Sequence, residues 1–164
     1  MKKIILLLSL WQPSSLRAQS SIHPQNLRCE YLVDPEGIDE VSPRLSWTLA
    51  ATNLHQYGQR QTAYKILVST SIKNVNEDIG DCWNTGWVAA DAMQQIVYKG
   101  KPIASDKACY WKVCTKDEAG KTSAWSKTAH WSTGLLEAAD WSAWFVLEHP
   151  LVAAVVAQCD LLEA

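Results

Sequence analysis

The residues of this sequence that could carry chemistry include seventeen acidic side chains and four histidines. Paired carboxyl groups that face each other across a sugar hydrolyse glycosidic bonds, and a general acid among them needs an apolar surrounding that raises its pKa. The acids of the main body fall in stretches typical of loops, and none lies on a strand with an apolar shell. They are Asp34, Glu36, Asp39, Glu40, Glu77, Asp78, Asp117, Glu118 and Asp140. We interpret them as solvated loop acids and predict no catalytic residue.

Other catalytic and ligand-binding motifs do not occur in the sequence. There is no G-x-S-x-G nucleophile motif and no H-E-x-x-H. There is no C-x-x-C and no histidine at ligand spacing either, so no metal site is predicted. The glycines never fall as G-x-G, which excludes a dinucleotide fingerprint, and no cofactor is predicted. The histidines stand among polar neighbours, and we interpret them as surface imidazoles.

The five cysteines do not form an obvious disulfide framework, because an odd count leaves at least one thiol free. Cys109 and Cys114 fall in one predicted strand. Five strand residues span about 16 Å, whereas bridged Cα atoms lie within about 7 Å. We therefore expect free, mostly buried thiols.

Nine tryptophans are the unusual feature of the composition. Trp83, Trp87 and Trp125 could form an exposed platform on which a sugar ring stacks, since an indole face is flat, apolar and rigid. The alternative is structural use, in which Trp125 stacks against a cationic side chain such as Lys112 or Lys127. Both interpretations stay open at this stage.

Alternation of apolar and polar residues with period two predicts the elements that must position these side chains. Seven short strands are expected, at residues 26–31, 44–49, 62–69, 82–88, 94–98, 109–116 and 127–133. Leu45 and Trp47 share an inward face of the second strand, as Trp111 and Val113 do on the sixth. Trp131 is expected to pack at an edge. The count, the spacing and the absence of intervening helical patterns predict an all-β, seven-stranded antiparallel sandwich of immunoglobulin size.

The N-terminus has the pattern of a secretory signal peptide. Two lysines precede an apolar run of eight residues, 4–11, and Ala18 offers a small residue for cleavage. The run is too short to span a bilayer, which takes about 20 residues. We expect residues 1–18 to be removed and the protein to be exported to the periplasm or outside the cell, without a membrane anchor. The net charge of −2 gives no basic patch for nucleic acid.

Two motifs resemble fibronectin type III domains: Pro43-Arg44-Leu45-Ser46-Trp47 and Tyr110-Trp111-Lys112-Val113. Together with residues 26–39, 61–68 and 83–86, their order and spacing resemble the N-terminal region of bacterial α-L-rhamnosidases of glycoside hydrolase family 78, over about residues 25–144. In that family a fibronectin-like domain precedes further β-sandwiches and a helical barrel that holds the catalytic acids.

The resemblance implies a non-catalytic accessory module, residues 19–134, that packs against neighbouring domains of a parent enzyme and positions them. The alternative is a stand-alone carbohydrate-binding module for rhamnose-containing glycans. Residues 135–164 are expected to be a linker and a divergent tail, in which Trp141 and Trp144 would pack against a following domain. The resemblance stops after Trp144, which indicates a truncated or frameshifted gene product or a short C-terminal helix.

Overall fold

Seven β-strands form the fold in the computed structural model, which describes residues 20–52 and 57–140. The strands are β1 Ile22–Cys29, β2 Arg44–Ala51, β3 Ala63–Ser69, β4 Trp83–Asn84, β5 Ile96–Val97, β6 Ala108–Lys116 and β7 Ala129–Ser132. One short helix, α1 Ile72–Asn76, follows β3, and a 3-10 turn spans Ala138–Asp140. The predicted signal peptide, 1–18, and the tail from residue 141 onward lie outside the described residues.

The strands pair into two antiparallel sheets, which confirms the predicted sandwich. One sheet has the order β1-β2-β5 and the other the order β4-β3-β6-β7. The longest register joins β3 to β6, from Ala63 opposite Lys116 to Ser69 opposite Tyr110. Residues paired in this way point to the same face of a sheet, so this register decides which side chains reach the core and which reach the outer surface.

The core lies between the sheets and is built from the inward positions of the alternating strands. Leu45 and Trp47 are buried there, as are Trp111 and Val113 of β6, as predicted. The prediction that Trp131 packs at an edge is wrong, because its side chain is fully buried in the core. Cys109 pairs with Trp131 across β6 and β7, which directs both residues inward.

Two predicted strands are much shorter than the sequence suggested, and one helix was missed. β4 and β5 have two residues each. Helix α1 begins after Ser71, whose side chain accepts a hydrogen bond from the Asn74 N–H at 3.4 Å, and it buries Val75. A helix of five residues is too short to produce a periodic pattern. None of the helices in the described residues is long and apolar enough to cross a membrane.

The outer strands of both sheets carry irregular or covered edges. β1 contains Pro24 and shifts register between Gln25 and Arg28, where Asn26 adopts a φ of 50°. The outer edge of β7 is hydrogen-bonded by a loop: Ile38 N–H donates to the Ser132 carbonyl at 2.9 Å, and Ser132 N–H donates to the Pro35 carbonyl at 3.0 Å. This loop therefore lies alongside β7 as an additional, irregular neighbour of the sheet.

Candidate functional site

Trp83 points into the sandwich rather than to an outer surface. It lies opposite Val68 in the β3–β4 pair, and Val68 is buried in the core. The Trp83 ring is half-buried and meets Tyr98 edge-on, with ring centroids 5.3 Å apart. The geometry therefore gives Trp83 a packing partner on the inner face.

Trp87 and Trp125 lie on the outer face of the four-stranded sheet, each beside lysine side chains. Lys116 Nζ lies 4.4 Å from the centroid of the Trp87 ring. Lys112 Nζ lies 4.9 Å from the Trp125 centroid, and Lys65 Nζ lies 5.9 Å from it. The stacking of Trp125 on Lys112 is as predicted, while the second lysine is Lys65 where the sequence suggested Lys127. The three tryptophans thus do not form one platform, and sugar contact by any of them stays a prediction.

Lys112 is the most confined of these cations, since only 6% of its side chain is exposed. Its ammonium group forms an ion pair with Asp78. Lys112 hydrogen-bonds the Asp78 carboxylate and holds its pKa below the usual value. On the outer face of β6, the buried Lys112 ammonium therefore lies between the Asp78 carboxylate and the Trp125 ring. These contacts hold Trp125 in position.

A groove lies between β1 and the segment that leads from Trp125 into β7. Its volume is about 540 Å³. Trp125, Leu27 and Val33 supply apolar walls, and Gln25 and Lys127 supply polar groups. Ligand pockets commonly measure about 300–1,000 Å³ and combine apolar walls with a few polar groups. The groove is thus large enough for a monosaccharide or disaccharide.

His130 on β7 is a partly exposed imidazole at the surface, and it is paired with two acids. Its Nε2 lies 2.9 Å from Glu36 Oε1, and its Nδ1 lies 3.5 Å from Asp34 Oδ1. Its backbone N–H also donates to Asp34 Oδ1 at 2.8 Å. The Ser132 hydroxyl donates to Glu36, not to the imidazole, so this cluster contains no activated serine. It fastens the loop before Ile38 to β7.

Hydrogen bonds from Ser132 and His130 hold the pKa of Glu36 below its usual value. The carboxylate therefore stays ionised at neutral pH and acts as an acceptor. The sequence could not show this cluster, because its acids and its imidazole are separated by more than ninety residues.

Asp117 is a second acid whose predicted solvated state is wrong, because it is only 4% exposed. Its carboxylate accepts hydrogen bonds from Ser20 Oγ at 3.1 Å, Ser21 N–H at 3.0 Å and Lys121 N–H at 2.9 Å. Burial raises its pKa, but the hydrogen bonds from Ser21, Lys121 and Ser20 outweigh that effect and leave the pKa lowered. Asp117 thus joins the start of β1 to the β6 turn and is not suited to donate a proton.

The cysteines of the described region are free, as expected: Cys29, Cys82, Cys109 and Cys114. Burial raises the pKa of Cys29 and of Cys109 to about 12, and that of Cys114 to about 11. These thiols are poor nucleophiles and poor metal ligands at neutral pH. Cys159 lies outside the described residues. Within residues 20–52 and 57–140, no group of His, Cys, Asp and Glu side chains is arranged to hold a metal ion.

Comparison with known families identifies the fold directly. A family model described as the Rha78A-like, N-terminal immunoglobulin domain matches residues 24–137. The chain belongs to this family. The match covers both sheets of the sandwich and ends just before the 3-10 turn, and it confirms the resemblance found in the sequence.

Relatives of this Rha78A-like immunoglobulin domain are much longer proteins. An α-L-rhamnosidase of Streptomyces avermitilis is 36% identical over 126 residues, which is 76% of this chain and 12% of that protein. An α-L-rhamnosidase of an Alteromonas species is 38% identical over 114 residues, 70% of this chain and again 12% of the relative. The chain therefore spans about 12% of the length of the curated relatives it matches, and the matched part is an immunoglobulin domain rather than a catalytic one.

Solved structures agree with the domain assignment. The α-L-rhamnosidase from Dictyoglumus thermophilum superimposes with a TM-score of 0.70 at 35% identity, over 74% of this chain and 13% of that one. The Streptomyces avermitilis α-L-rhamnosidase complexed with L-rhamnose gives 0.69 at 34% identity, over 74% and 11%. A structure from Aspergillus terreus, at 20% identity and a TM-score of 0.59, shares the fold.

Proposed function

We propose that this immunoglobulin domain is a non-catalytic accessory module of an exported α-L-rhamnosidase-like glycoside hydrolase, where it packs against neighbouring domains and positions them. The observation that carries the proposal is the match of residues 24–137 to the N-terminal immunoglobulin domain of long rhamnosidases.

The roles of the acids support a non-catalytic module. Glu30 is ion-paired with Arg44 at 2.6 Å, and that hydrogen-bonded contact holds its pKa below the usual value. Asp78 and Asp117 are likewise committed to partners described above. Acids bound in this way are stable acceptors, whereas a glycosidase acid needs a raised pKa.

Activity on an aryl α-L-rhamnoside tests the first half of the proposal. Purified residues 19–164, free of host glycosidases, should release no aryl alcohol above a matched blank, while an intact rhamnosidase in the same assay does. Turnover that co-purifies with the chain and disappears on heat unfolding would contradict a non-catalytic role.

The positioning role requires the longer setting. In the Streptomyces avermitilis relative, we expect deletion of the matched domain to lower the melting temperature and the soluble yield. Replacing that domain by residues 19–140 of this chain should restore part of both. A deletion that leaves melting unchanged but weakens binding to rhamnose-containing polysaccharides would instead favour glycan recognition.

Export is the third part of the proposal, and it rests on residues 1–18, which lie outside the described region. Expression of the whole chain in a bacterial host, followed by fractionation and mass spectrometry, should recover a periplasmic or secreted form that begins at Gln19. An uncleaved chain confined to the cytosol would contradict export.

Glycan binding by the module itself is a second candidate function, supported by the groove beside Trp125. Titration with rhamnose-containing saccharides should change tryptophan fluorescence in a saturable way if a sugar ring lies on that indole. The effect should be lost in Trp125→Leu and kept in the control Trp87→Leu, with circular dichroism confirming that both variants fold. A flat titration in the wild-type chain would reject this candidate.

A further inference from the structure

Three lysine side chains share the outer face of the four-stranded sheet. Lys112 and Lys116 of β6 point away from the buried core residue Val113, because successive strand residues alternate between the two faces. Lys65 of β3 pairs with Cys114, which lies between the two β6 lysines. Burial raises the pKa of the Cys114 thiol to about 11, while each of the three ammonium groups lowers it. All three charges therefore lie close to this one side chain.

Two indoles flank the lysines on the same face. Trp87 precedes Val88, whose backbone pairs with Tyr64 of the core, so Trp87 projects to the outer face. Trp125 belongs to the segment 123–126, whose two end residues donate backbone hydrogen bonds to β6, both at 2.8 Å. Each indole lies beside a lysine ammonium group at a distance typical of cation–π contacts. The aromatic and cationic groups are thus held together by the sheet.

The positive charges of this face exceed its negative ones. Lys112 is neutralised by Asp78. Within residues 20–52 and 57–140, neither Lys65 nor Lys116 forms an ion pair with an acid, and both side chains are partly exposed. The whole chain has a net charge of −2, so this surplus is local. Two ammonium groups therefore remain able to pair with an external anion.

An indole beside an available ammonium group suits a sugar ring that carries a carboxylate. The apolar face of a sugar ring can stack on an indole, and charge complementarity places the anion at the lysine. Trp87 is 42% exposed, which leaves part of its ring open. Lys112 and Lys116 are four residues apart, about 13 Å along β6. Lys65 lies beside the middle of that line, so the groups follow the strand as a linear polymer would.

We propose that the outer face around Lys65, Lys116, Trp87 and Trp125, here called the lysine–indole face, binds an acidic polysaccharide through its uronate residues. Lys65 and Lys116 form ion pairs with the sugar carboxylates, and the open part of the Trp87 ring contacts a sugar ring. Lys112, which already has its acid, holds Trp125 in position. This binding goes beyond the proposed positioning role and does not depend on it.

Isothermal titration of the purified chain with polygalacturonate tests the proposal. The matched ligand is the same polymer with its carboxyl groups converted to methyl esters, which keeps the sugar rings and removes the charge. We expect the acid polymer to bind about tenfold more tightly than the ester at low salt, because two ion pairs are lost with the ester. The advantage should shrink as the ionic strength rises.

Substitutions then locate the site. The double variant Lys65→Gln with Lys116→Gln should lower the affinity for polygalacturonate about tenfold, and Trp87→Leu should lower it several-fold. The control Lys99→Gln with Lys101→Gln removes the same charge from two exposed lysines outside this face, and it should bind like the wild-type chain. Circular dichroism checks that each variant folds, and the single variant Lys116→Gln replaces the double one if that chain unfolds.

Four results would overturn the proposal. The first is equal affinity of the wild-type chain for the acid polymer and its methyl ester, or no binding of either. The second is an equal loss in the control variant, which would indicate attraction by overall charge. The third is equally tight binding of polyglutamate with no effect of Trp87→Leu, which would indicate an anion surface without sugar recognition. The fourth is binding to phosphatidylserine vesicles but not to polygalacturonate, which would assign the face to a membrane.

Discussion

Replacement of Trp47 by alanine measures how much of the stability depends on the inward face of β2. The side chain is only 2% exposed and meets Tyr64 edge-on at 5.3 Å. Emptying a large aromatic core site costs about 3–5 kcal/mol. The Trp47 Nε1–H also donates to Gln61 Oε1 at 3.1 Å, and Gln61 is 1% exposed. Loss of that donor leaves a buried acceptor unpaired, so we expect a cost near the upper end of the range.

A second substitution separates packing from hydrogen bonding. Trp47→Phe keeps most of the apolar ring but removes the N–H, and we expect it to cost about 1–3 kcal/mol. The Gln61 side chain has other partners, since its Nε2 donates to the Ala92 carbonyl at 2.9 Å, and it should stay in place. The surface control Trp87→Ala removes a ring that is 42% exposed and contacts Lys116, and it should cost no more than about 1 kcal/mol.

Urea unfolding followed by far-UV circular dichroism gives the free energies, because this signal reports mainly the β-sheet backbone and the linear extrapolation does not require equal amplitudes. A domain of this kind has about 5–15 kcal/mol of stability, so the alanine variant should unfold at much lower urea or be partly unfolded without it. A loss below about 1 kcal/mol for Trp47→Ala would show that the face assignment of β2 is wrong. Equal losses for alanine and phenylalanine would show that the hydrogen bond, and not the buried ring, dominates.

Three further predictions use the same unfolding assay or simple labelling. Asp78→Asn leaves the buried Lys112 ammonium without its acid and should lower the free energy of unfolding by about 1–2 kcal/mol. The cost is smaller than for a fully buried pair because Asp78 is 58% exposed. No loss would mean that the contact with Trp125 alone stabilises the Lys112 charge. The lowered pKa of Asp117 predicts that its hydrogen bonds stabilise the fold above about pH 4, and that this contribution is lost as pH falls through the folded-state pKa. The free energy of unfolding, measured from about pH 5 to about pH 2.5, should therefore fall less steeply in Asp117→Asn than in the wild-type chain. Identical slopes would reject this prediction. Three buried thiols should react with a disulfide reagent only when urea unfolds the chain, and fast native labelling of any of them would contradict the burial. They are Cys29, Cys109 and Cys114.

The sequence predicted the fold well where apolar and polar residues alternate clearly within a single strand. Alternation within β2 and β6 assigned Trp47 and Trp111 to the core, because the period of a strand is visible in a few consecutive residues. It failed for Trp131, since β7 is short and its burial depends on pairing with β6. It also missed helix α1, whose stability comes from one cap and from the buried Val75.

The candidate site was less predictable than the fold, because its contacts join distant parts of the chain. The pairing of His130 with Asp34 and Glu36 depends on a loop that lies alongside β7 in space. No local sequence pattern predicts that contact. The position of Trp83 could not be separated from that of Trp87 by composition. The register of β3 with β4 places Trp83 on the inner face, and the contact with Lys116 places Trp87 on the outer face.

The irregular edges of the two sheets have a consequence for how such modules behave when several are joined or concentrated. A strand with regular, free N–H and C=O groups can recruit a strand of another molecule and start aggregation. Here Pro24 and the register shift near Asn26 interrupt the hydrogen-bonding edge of β1. The loop at residues 35–38 already hydrogen-bonds the outer edge of β7, and β4 and β5 are too short to act as templates. Lateral growth of the sheets through these four strands is therefore disfavoured, which lowers the risk that neighbouring copies of the domain exchange strands.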